Sequence, residues 1–493
     1  MRKINLKGAS YDSVFLAVSK VLTMAFGIVL SKILSVGLSL EDYGTYSQAN
    51  LITSIGTSLI LLGLGDAVNY YYNKRDKNID DSLRHRVVNT VFFIELLFGI
   101  ILAILIIAGQ NMIVDYFSNP SLKILIPIIS LIPMLGNIIY FYQVLYVSVN
   151  KAKMMAVYNL IIIIVKIISA YIAVYVIKNI LWIFVVIVAL DILLLLIYNL
   201  SLRRTNVRIN YMKIAPEYIK PIFAYGLPMG IYAMTSTISR DVDKLVIGRL
   251  ADTETMAIYS NCSKILPFDF LVAAFATVLI PYIVKYVTEG NKEESVKLFS
   301  MYMKIGYYSV WLLGAAVLIA PEAVISFIYA EEYVVGKAVF VIYILDSMLR
   351  FASMHLILTA ASKTKTLMLY SLASLALNFI LNIVFYYMWG PIGPAVATLI
   401  TSLLYTWAIL GKTIKVIDSK WKEIFNVKEI LIFVISLVCI WIPSNMLYRL
   451  LNHLGMNHHL SMIIAMMIFC LISFAIHLKK IFSVLREINK FRL

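Results

Sequence analysis

The sequence predicts an all-α polytopic membrane protein with about fourteen transmembrane helices, and three observations predict it. Of its 493 residues 61% are hydrophobic and only 14% charged, against roughly 45–50% and about 25% in a soluble domain. The apolar residues fall in long runs. The charges that remain gather in alternate connections between those runs.

Composition and the runs choose the solvent and the secondary structure. A soluble chain this apolar has too little polar surface to cover its core. VVNTVFFIELLFGIILAILIIAG (87–109) and EILIFVISLVCIWI (429–442) are continuous apolar runs. A helix needs roughly 20 such residues to cross the hydrocarbon. Backbone groups in lipid must be satisfied within the protein, which leaves helices or a closed barrel. The runs do not alternate, which excludes a barrel. Helices are predicted near 10–36, 45–68, 87–108, 124–147, 154–176, 180–200, 218–238, 253–283, 303–327, 338–361, 366–388, 392–411, 428–446 and 460–478. The longest connections, 69–86, 201–217, 284–302 and 412–427, are too short for a soluble domain.

Charge sets the orientation. A net charge of +16 in a soluble chain would point to nucleic acid. Here 32 of the 43 Lys and Arg residues fall in the segments that are internal if the N-terminus is cytoplasmic. That is the positive-inside asymmetry. It places both termini in the cytoplasm and removes the reason to expect a nucleic-acid partner. Cys262, Cys439 and Cys470 lie in apolar segments, so no disulfide framework is readable. The first run, about 25 residues without a small-residue cleavage site, reads as a retained helix rather than a signal peptide. No phosphate-binding glycine loop, zinc-ligand cluster or nucleophile elbow occurs. No catalytic residue, metal site or cofactor is therefore expected, and the chain does not read as an enzyme.

A repeat organises the chain. Lys151, Lys153 and Tyr158 recur as Lys363, Lys365 and Tyr370; Tyr46-Ser47 recurs as Tyr259-Ser260; Asn78, Asp80, Asp81, Ser82 and Arg84 recur as Asn291, Glu293, Glu294, Ser295 and Lys297. The offset is nearly constant, which a chance match would not produce. The reading is an N-lobe of helices 1–6 (1–210), a C-lobe of helices 7–12 (211–415), and helices 13–14 with a basic cytoplasmic tail (416–493). Six helices per copy make the repeat parallel, and transporters so built bind substrate between lobes. The extra pair is expected beside the lobes, leaving the lobes self-sufficient.

Three stretches carry a family resemblance. KGASYDSVFLAVSKVLTMAFGIVLSKILSVGLSLEDYGTYSQA (7–49) has a Gly, a long helix, a basic residue (Lys32) and then Glu41-Asp42-Tyr43-Gly44. RDVDKLVIGRLADTETMAIYS (240–260) enters the second lobe, and NFILNIVFYYMWGPIGPAVATLI (378–400) brings Asn378, Asn382, Gly393 and Ala397-Thr398. Over nearly its whole length the chain resembles the polysaccharide-unit (lipid-linked oligosaccharide) flippase family of the multidrug/oligosaccharidyl-lipid/polysaccharide exporter superfamily. The resemblance implies translocation of undecaprenyl-pyrophosphate-linked oligosaccharide across the bacterial cytoplasmic membrane, for O-antigen, capsule or exopolysaccharide assembly. It implies alternating access around a cationic central cavity. The implied partners are membrane lipid, the polyprenyl-pyrophosphate substrate, and a polysaccharide polymerase with other assembly proteins. A multidrug or small-cation exporter of the same superfamily is the alternative, but a cation site calls for carboxylates where this chain buries Lys and Arg. A membrane polymerase or ligase would need a longer outer loop.

Ionisable residues inside apolar runs are expensive, and so are the candidate site. Lys166, central in helix 5, is read as a cavity cation for phosphate, or else as the partner of Asp191 in helix 6. Lys264, Arg350, Lys20 and Lys32 are the other candidate cations. Asp346 and Arg350, four apart, are placed to pair along one helix face. Glu95, Asp191, Asp269 and Asp346 are candidate coupling carboxylates for sodium or protons, and His355 is a candidate relay. Arg240, Asp243 and Lys244 are a candidate outer gate. Tyr140 and Tyr142 are candidates for stacking on sugar rings.

Overall fold

The computed structural model describes residues 6–65, 67–68, 81–203, 213–264, 266, 268 and 270–490. Within them the chain is helical and has no strand. Contacts divide it into two compact units, Met1–Ala257 and Ile258–Leu493.

Unit 1 contains α1 (Leu6–Gly37), α2 (Leu40–Leu61), α3 (Asp81–Ala108), α4 (Gln110–Phe117), α5 (Leu122–Ile129), α6 (Leu131–Ser148), α7 (Ala152–Ile172), α8 (Ile180–Leu202) and α9 (Ile219–Leu250). Local chemistry starts these helices. Ser39 caps α2 by accepting from the Asp42 amide, and Glu41 and Asp42 sit in its positive first turn. Asn179 caps α8 by accepting from the Leu181 amide. α3 packs on α6, α1 on α7, α6 and α7 on α8, and α2 on both α6 and α9. The α2–α9 approach is close. Gly63 (φ 70°) lies against the backbone of Gly226 and Gly230, where a side chain would have no room.

Unit 2 begins inside α10 (Thr253–Cys262). It continues with α11 (Phe270–Thr288), α12 (Lys292–Val317), α13 (Pro321–Ile328), α14 (Lys337–Leu349), α15 (Leu356–Ala360), α16 (Thr364–Trp389), α17 (Gly393–Val416), α18 (Trp421–Ile424), α19 (Val427–His453) and α20 (His458–Lys490). α16 and α17 form a hairpin that turns at Gly390 (φ 62°), and α19 packs on α20. The terminal pair is tied to α12. Lys304 bonds Glu429 at 3.1 Å, and Tyr308 donates to the other carboxylate oxygen at 2.9 Å. Ser436 and His477 meet at 2.8 Å, while Phe433, fully buried, packs on Tyr307, Tyr308 and Trp311.

Membrane crossing follows from length and surface. Seven described stretches are long and apolar enough to cross a bilayer: Leu83–Ala108, Leu122–Ser148, Ala152–Ile177, Ile180–Leu202, Thr364–Val416, Val427–His453 and His458–Lys480. α12 and α13, bent by 88°, make an eighth if they form one broken span. Thr364–Val416, at 53 residues, holds both arms of the α16–α17 hairpin. The outward faces are hydrocarbon: Phe93, Leu97, Ile100, Ile104 and Leu105 line one exposed stripe of α3. Such a surface in water would aggregate. The protein is thus an all-α, multi-pass membrane protein, as its sequence predicts.

Several predicted continuous helices are broken. The run 338–361 is interrupted after Leu349, and 350–355 is non-helical. Side chains replace its lost backbone bonds: Tyr302 OH accepts from the Ser353 amide, and Thr413 donates to the Met354 carbonyl. The run 303–327 bends at Pro321, which has no amide hydrogen and suits only a first turn. The run 124–147 is divided at Ser130, after Pro127. The run 45–68 leaves helix at Leu62 (φ 38°) and Gly63, and 253–283 separates into α10 and α11. The repeated turn is preserved in the backbone. Asn150 (φ 59°) and Ser362 (φ 56°) are both left-handed, and the amides of Lys151 and Lys363 both close on the carbonyl five residues back at 2.8 Å.

Candidate functional site

Two of the candidate cations, Lys166 and Arg350, are paired with carboxylates. Lys166 Nζ, on α7, bonds Asp191 Oδ1, on α8, at 2.6 Å; their side chains are 27% and 8% exposed. α7 and α8 pack directly, so the facing residues of two apolar helices neutralise each other. The repeat-equivalent position of Lys166 is Asn378, in a neutral cluster of unit 2. Asn378 donates to Thr401 Oγ1 at 2.6 Å, and Asn382 donates to Asn378 Oδ1 at 2.9 Å. Arg350, at the end of α14, is paired with Asp346, which is 1% exposed, while the arginine keeps 31% of its side chain open. The helix break at 350–355 follows directly.

The remaining candidates have quieter places. Lys264 lies in the link after α10; its ammonium donates to Asn261 Oδ1 at 2.8 Å and stands 5.7 Å from the ring centre of Tyr329. Lys32 is partly buried in α1, and His355 lies beside the α14–α15 break. The Lys20 side chain and Asp269 lie outside the described residues. Arg240, Asp243 and Lys244 all belong to α9. Lys244 bonds Asp241 at 2.7 Å, and Ser54 of α2 donates to the other Asp241 oxygen at 2.8 Å. Arg240 is exposed and Asp243 fully buried. Tyr142 is not available to a sugar. It is 4% exposed and enclosed by the rings of Phe92, Phe141 and Tyr198. Tyr140 is exposed.

Glu95 differs from the other described candidate carboxylates, Asp191 and Asp346, each of which holds a cation. It is 1% exposed on α3, and neither oxygen has a hydrogen-bond partner among the described residues. Unit 1 also holds an apolar cavity of about 280 Å³ lined by Ile52, Ile55, Leu59, Leu102, Ile106 and Met112 among others. No charged side chain lines it, so it suits hydrocarbon and offers nothing to a phosphate. Two groups escaped the sequence reading. Glu429 and its partners Lys304 and Tyr308 sit near predicted helix ends, where charge needs no explanation. Asn137 is a single amide in an apolar run.

Residues 29–338 match the family described as polysaccharide biosynthesis protein. The chain belongs to that family. Its fold is that of the multidrug/oligosaccharidyl-lipid/polysaccharide exporter superfamily. An inward-facing multidrug resistance MATE family transporter superposes with a TM-score of 0.69 at 12% identity, covering 80% of this chain and 94% of that one. The lipid II flippase MurJ, in an inward closed conformation, gives 0.67 at 14% identity and covers 95% and 100%. A superfamily transporter from Pyrococcus furiosus, described as having a binding pocket of reverse polarity, gives 0.62 at 12% identity and covers 84% and 96%. These neighbours are transporters and a flippase, not enzymes. No curated protein matches the chain by sequence.

Proposed function

We propose that this protein flips polyprenyl-pyrophosphate-linked oligosaccharide units across the bacterial cytoplasmic membrane for surface polysaccharide assembly. Membership of the polysaccharide biosynthesis family, on a multi-pass transporter fold, is the observation that carries the reading. Family and fold together make it a membrane transport protein and not an enzyme. The physical task is to move a pyrophosphate and its sugars through about 30 Å of hydrocarbon. A bare charge at mid-bilayer costs at least about 2.5–3.5 kcal/mol. Lys166, Lys264 and Arg350, with Lys20 and Lys32 near the ends of helix 1, are proposed to lower that cost for the headgroup. Lys166 and Arg350 are paired yet retain open surface, so each carboxylate partner holds its cation until an anion arrives. The lipid tail stays in hydrocarbon, since hydrating it forfeits about 0.8 kcal/mol per CH₂. The apolar cavity of unit 1 and the terminal pair α19–α20 are both suited to that tail.

The proposed mechanism is alternating access by two six-helix lobes, 1–210 and 211–415. Arg240, Asp243 and Lys244 serve as an outer gate, and a polymerase takes the product. Loss of the gene is expected to abolish surface polymer and to accumulate lipid-linked repeat units in the inner leaflet; plasmid-borne wild type restores export. Drug sensitivity without a polymer defect would replace this reading by the multidrug exporter.

The proposed orientation has both termini and the turns at Lys151–Lys153 and Lys363–Lys365 in the cytoplasm. Single cysteines placed there in a Cys-free background are expected to resist an impermeant thiol reagent in intact cells. Labelling of either turn from outside would reverse the orientation.

A further inference from the structure

On the packed pair α3 and α6, both carboxylate oxygens of Glu95 and Oδ1 of Asn137 have no hydrogen-bond partner among the described residues, and each side chain is 1% exposed. The packing brings them to one level. The rings of Phe92 on α3 and Phe141 on α6 stand 5.4 Å apart, and further along Gly99 lies against Met134. α3 and α6 run antiparallel. Three residues forward from Phe92 and three or four back from Phe141 bring Glu95 opposite Ile138 and Asn137. Both lie on the stripes that carry those contacts, since 92, 95 and 99 share one helix face, as do 134, 137 and 141.

α2 reaches the same level. Asn137 donates its amide to the Thr57 carbonyl of α2 and to the Pro133 carbonyl of its own helix, each at 3.1 Å, which turns Oδ1 away from both. Gly56 lies against Leu102 of α3, and α2 runs antiparallel to α3, so the end of α2 at Leu61 to Gly63 lies near the level of Glu95. The last carbonyls of a helix have no partner inside it and carry its partial negative charge.

Among the described residues of the elements named here, no positive side chain is placed to offset these oxygens. Glu95 is the only ionisable residue of α3 between Arg86 and Ala108, and α2 has none from Ser47 to its end. α6 contributes only the phenols of Tyr140, Tyr142 and Tyr146. α9 meets α3 at Phe98–Phe223, and its nearby Lys220 is exposed.

We propose that Glu95, Asn137 and the last-turn carbonyls of α2 bind a monovalent cation of the sodium class. Hard cations take oxygen ligands of this kind, carboxylate together with amide and backbone carbonyl. A single carboxylate among neutral oxygens balances one positive charge, and a divalent ion would leave an excess in a medium that penalises it. A proton satisfies at most two of the three oxygens. Helix ends that expose carbonyls are where membrane transporters hold such ions. The site lies wholly in unit 1 and stands whatever the transported substrate.

The test uses the purified full-length protein in detergent, with melting followed in NaCl, KCl and choline chloride at equal ionic strength and ²²Na⁺ binding measured directly. Wild type is expected to bind ²²Na⁺ saturably and to melt higher in NaCl than in choline chloride. Glu95→Gln is expected to bind at least tenfold more weakly and to lose the sodium-dependent shift, and Asn137→Leu to weaken binding in the same direction. Glu95→Asp, which keeps the charge, checks that loss reflects the ligand and not the fold. Absence of a sodium-specific shift in wild type overturns the site, as does unchanged binding in Glu95→Gln. Stability that responds to pH but not to sodium, and is lost in Glu95→Gln, assigns a proton and overturns the sodium site. Binding is read without transport, so a failed export assay leaves this result standing.

Discussion

Lys166→Glu is expected to abolish polysaccharide export and to lower the melting temperature sharply. The substitution sets a second carboxylate against Asp191, where the wild-type ammonium stands at 2.6 Å. Lys166→Ala leaves Asp191 buried without its cation, a change that costs about 3–5 kcal/mol in buried pairs. That is a large share of a stability of roughly 5–15 kcal/mol. The exchange Lys166→Asp with Asp191→Lys separates two roles. Recovery of melting temperature without export assigns Lys166 to the headgroup as well as to the pair. Recovery of both assigns it to packing alone. Normal melting and normal export by Lys166→Glu would refute the pair.

Deletion of residues 428–493 is expected to unfold unit 2 rather than to trim it. The sequence presents helices 13 and 14 as an addition to two complete lobes. The structure buries Phe433 among Tyr307, Tyr308 and Trp311 and bonds Asn445 to the Ile319 carbonyl at 2.7 Å. Without α19–α20, α12 loses the acid that holds Lys304 and Tyr308 and gains an uncovered aromatic face. Glu429→Ala is the milder form. It leaves the two donors unmet and is expected to cost about 1–3 kcal/mol, read as a lower melting temperature of the purified protein with Glu429→Gln in between. A truncated protein that is monodisperse and melts with the wild type would return the pair to an accessory role.

What could be read from the sequence follows from the physics of each residue. The spans were legible because hydrocarbon tolerates only long apolar helices. Asp346 and Arg350 were legible as a pair because their spacing fixes a shared face. Lys166 and Asp191 were legible as candidates because a mid-membrane charge demands a partner, and the packing of α7 on α8 supplied it. The helix breaks were not. The interruption at 350–355 depends on Tyr302 and Thr413, which are distant in sequence and carry no signal of their own. Glu429 sits near a helix end, where a solvated charge is ordinary, so nothing in the sequence ties it to Lys304. Asn137 carries no signal in the sequence, because a single amide in an apolar run is ordinary and only packing leaves its carbonyl oxygen unpartnered.

Translocation of a lipid-linked sugar is read without a cell in reconstituted vesicles. Purified protein would be placed in sealed vesicles carrying a fluorescent polyprenyl-pyrophosphoryl oligosaccharide, and an impermeant glycosidase would be added outside. Empty vesicles protect the half of the substrate in the inner leaflet. Vesicles with wild-type protein are expected to lose nearly all of it, and those with Lys166→Glu to protect it as empty vesicles do. Continued protection of half the substrate by correctly inserted wild-type protein would mean that it does not flip this lipid-linked sugar.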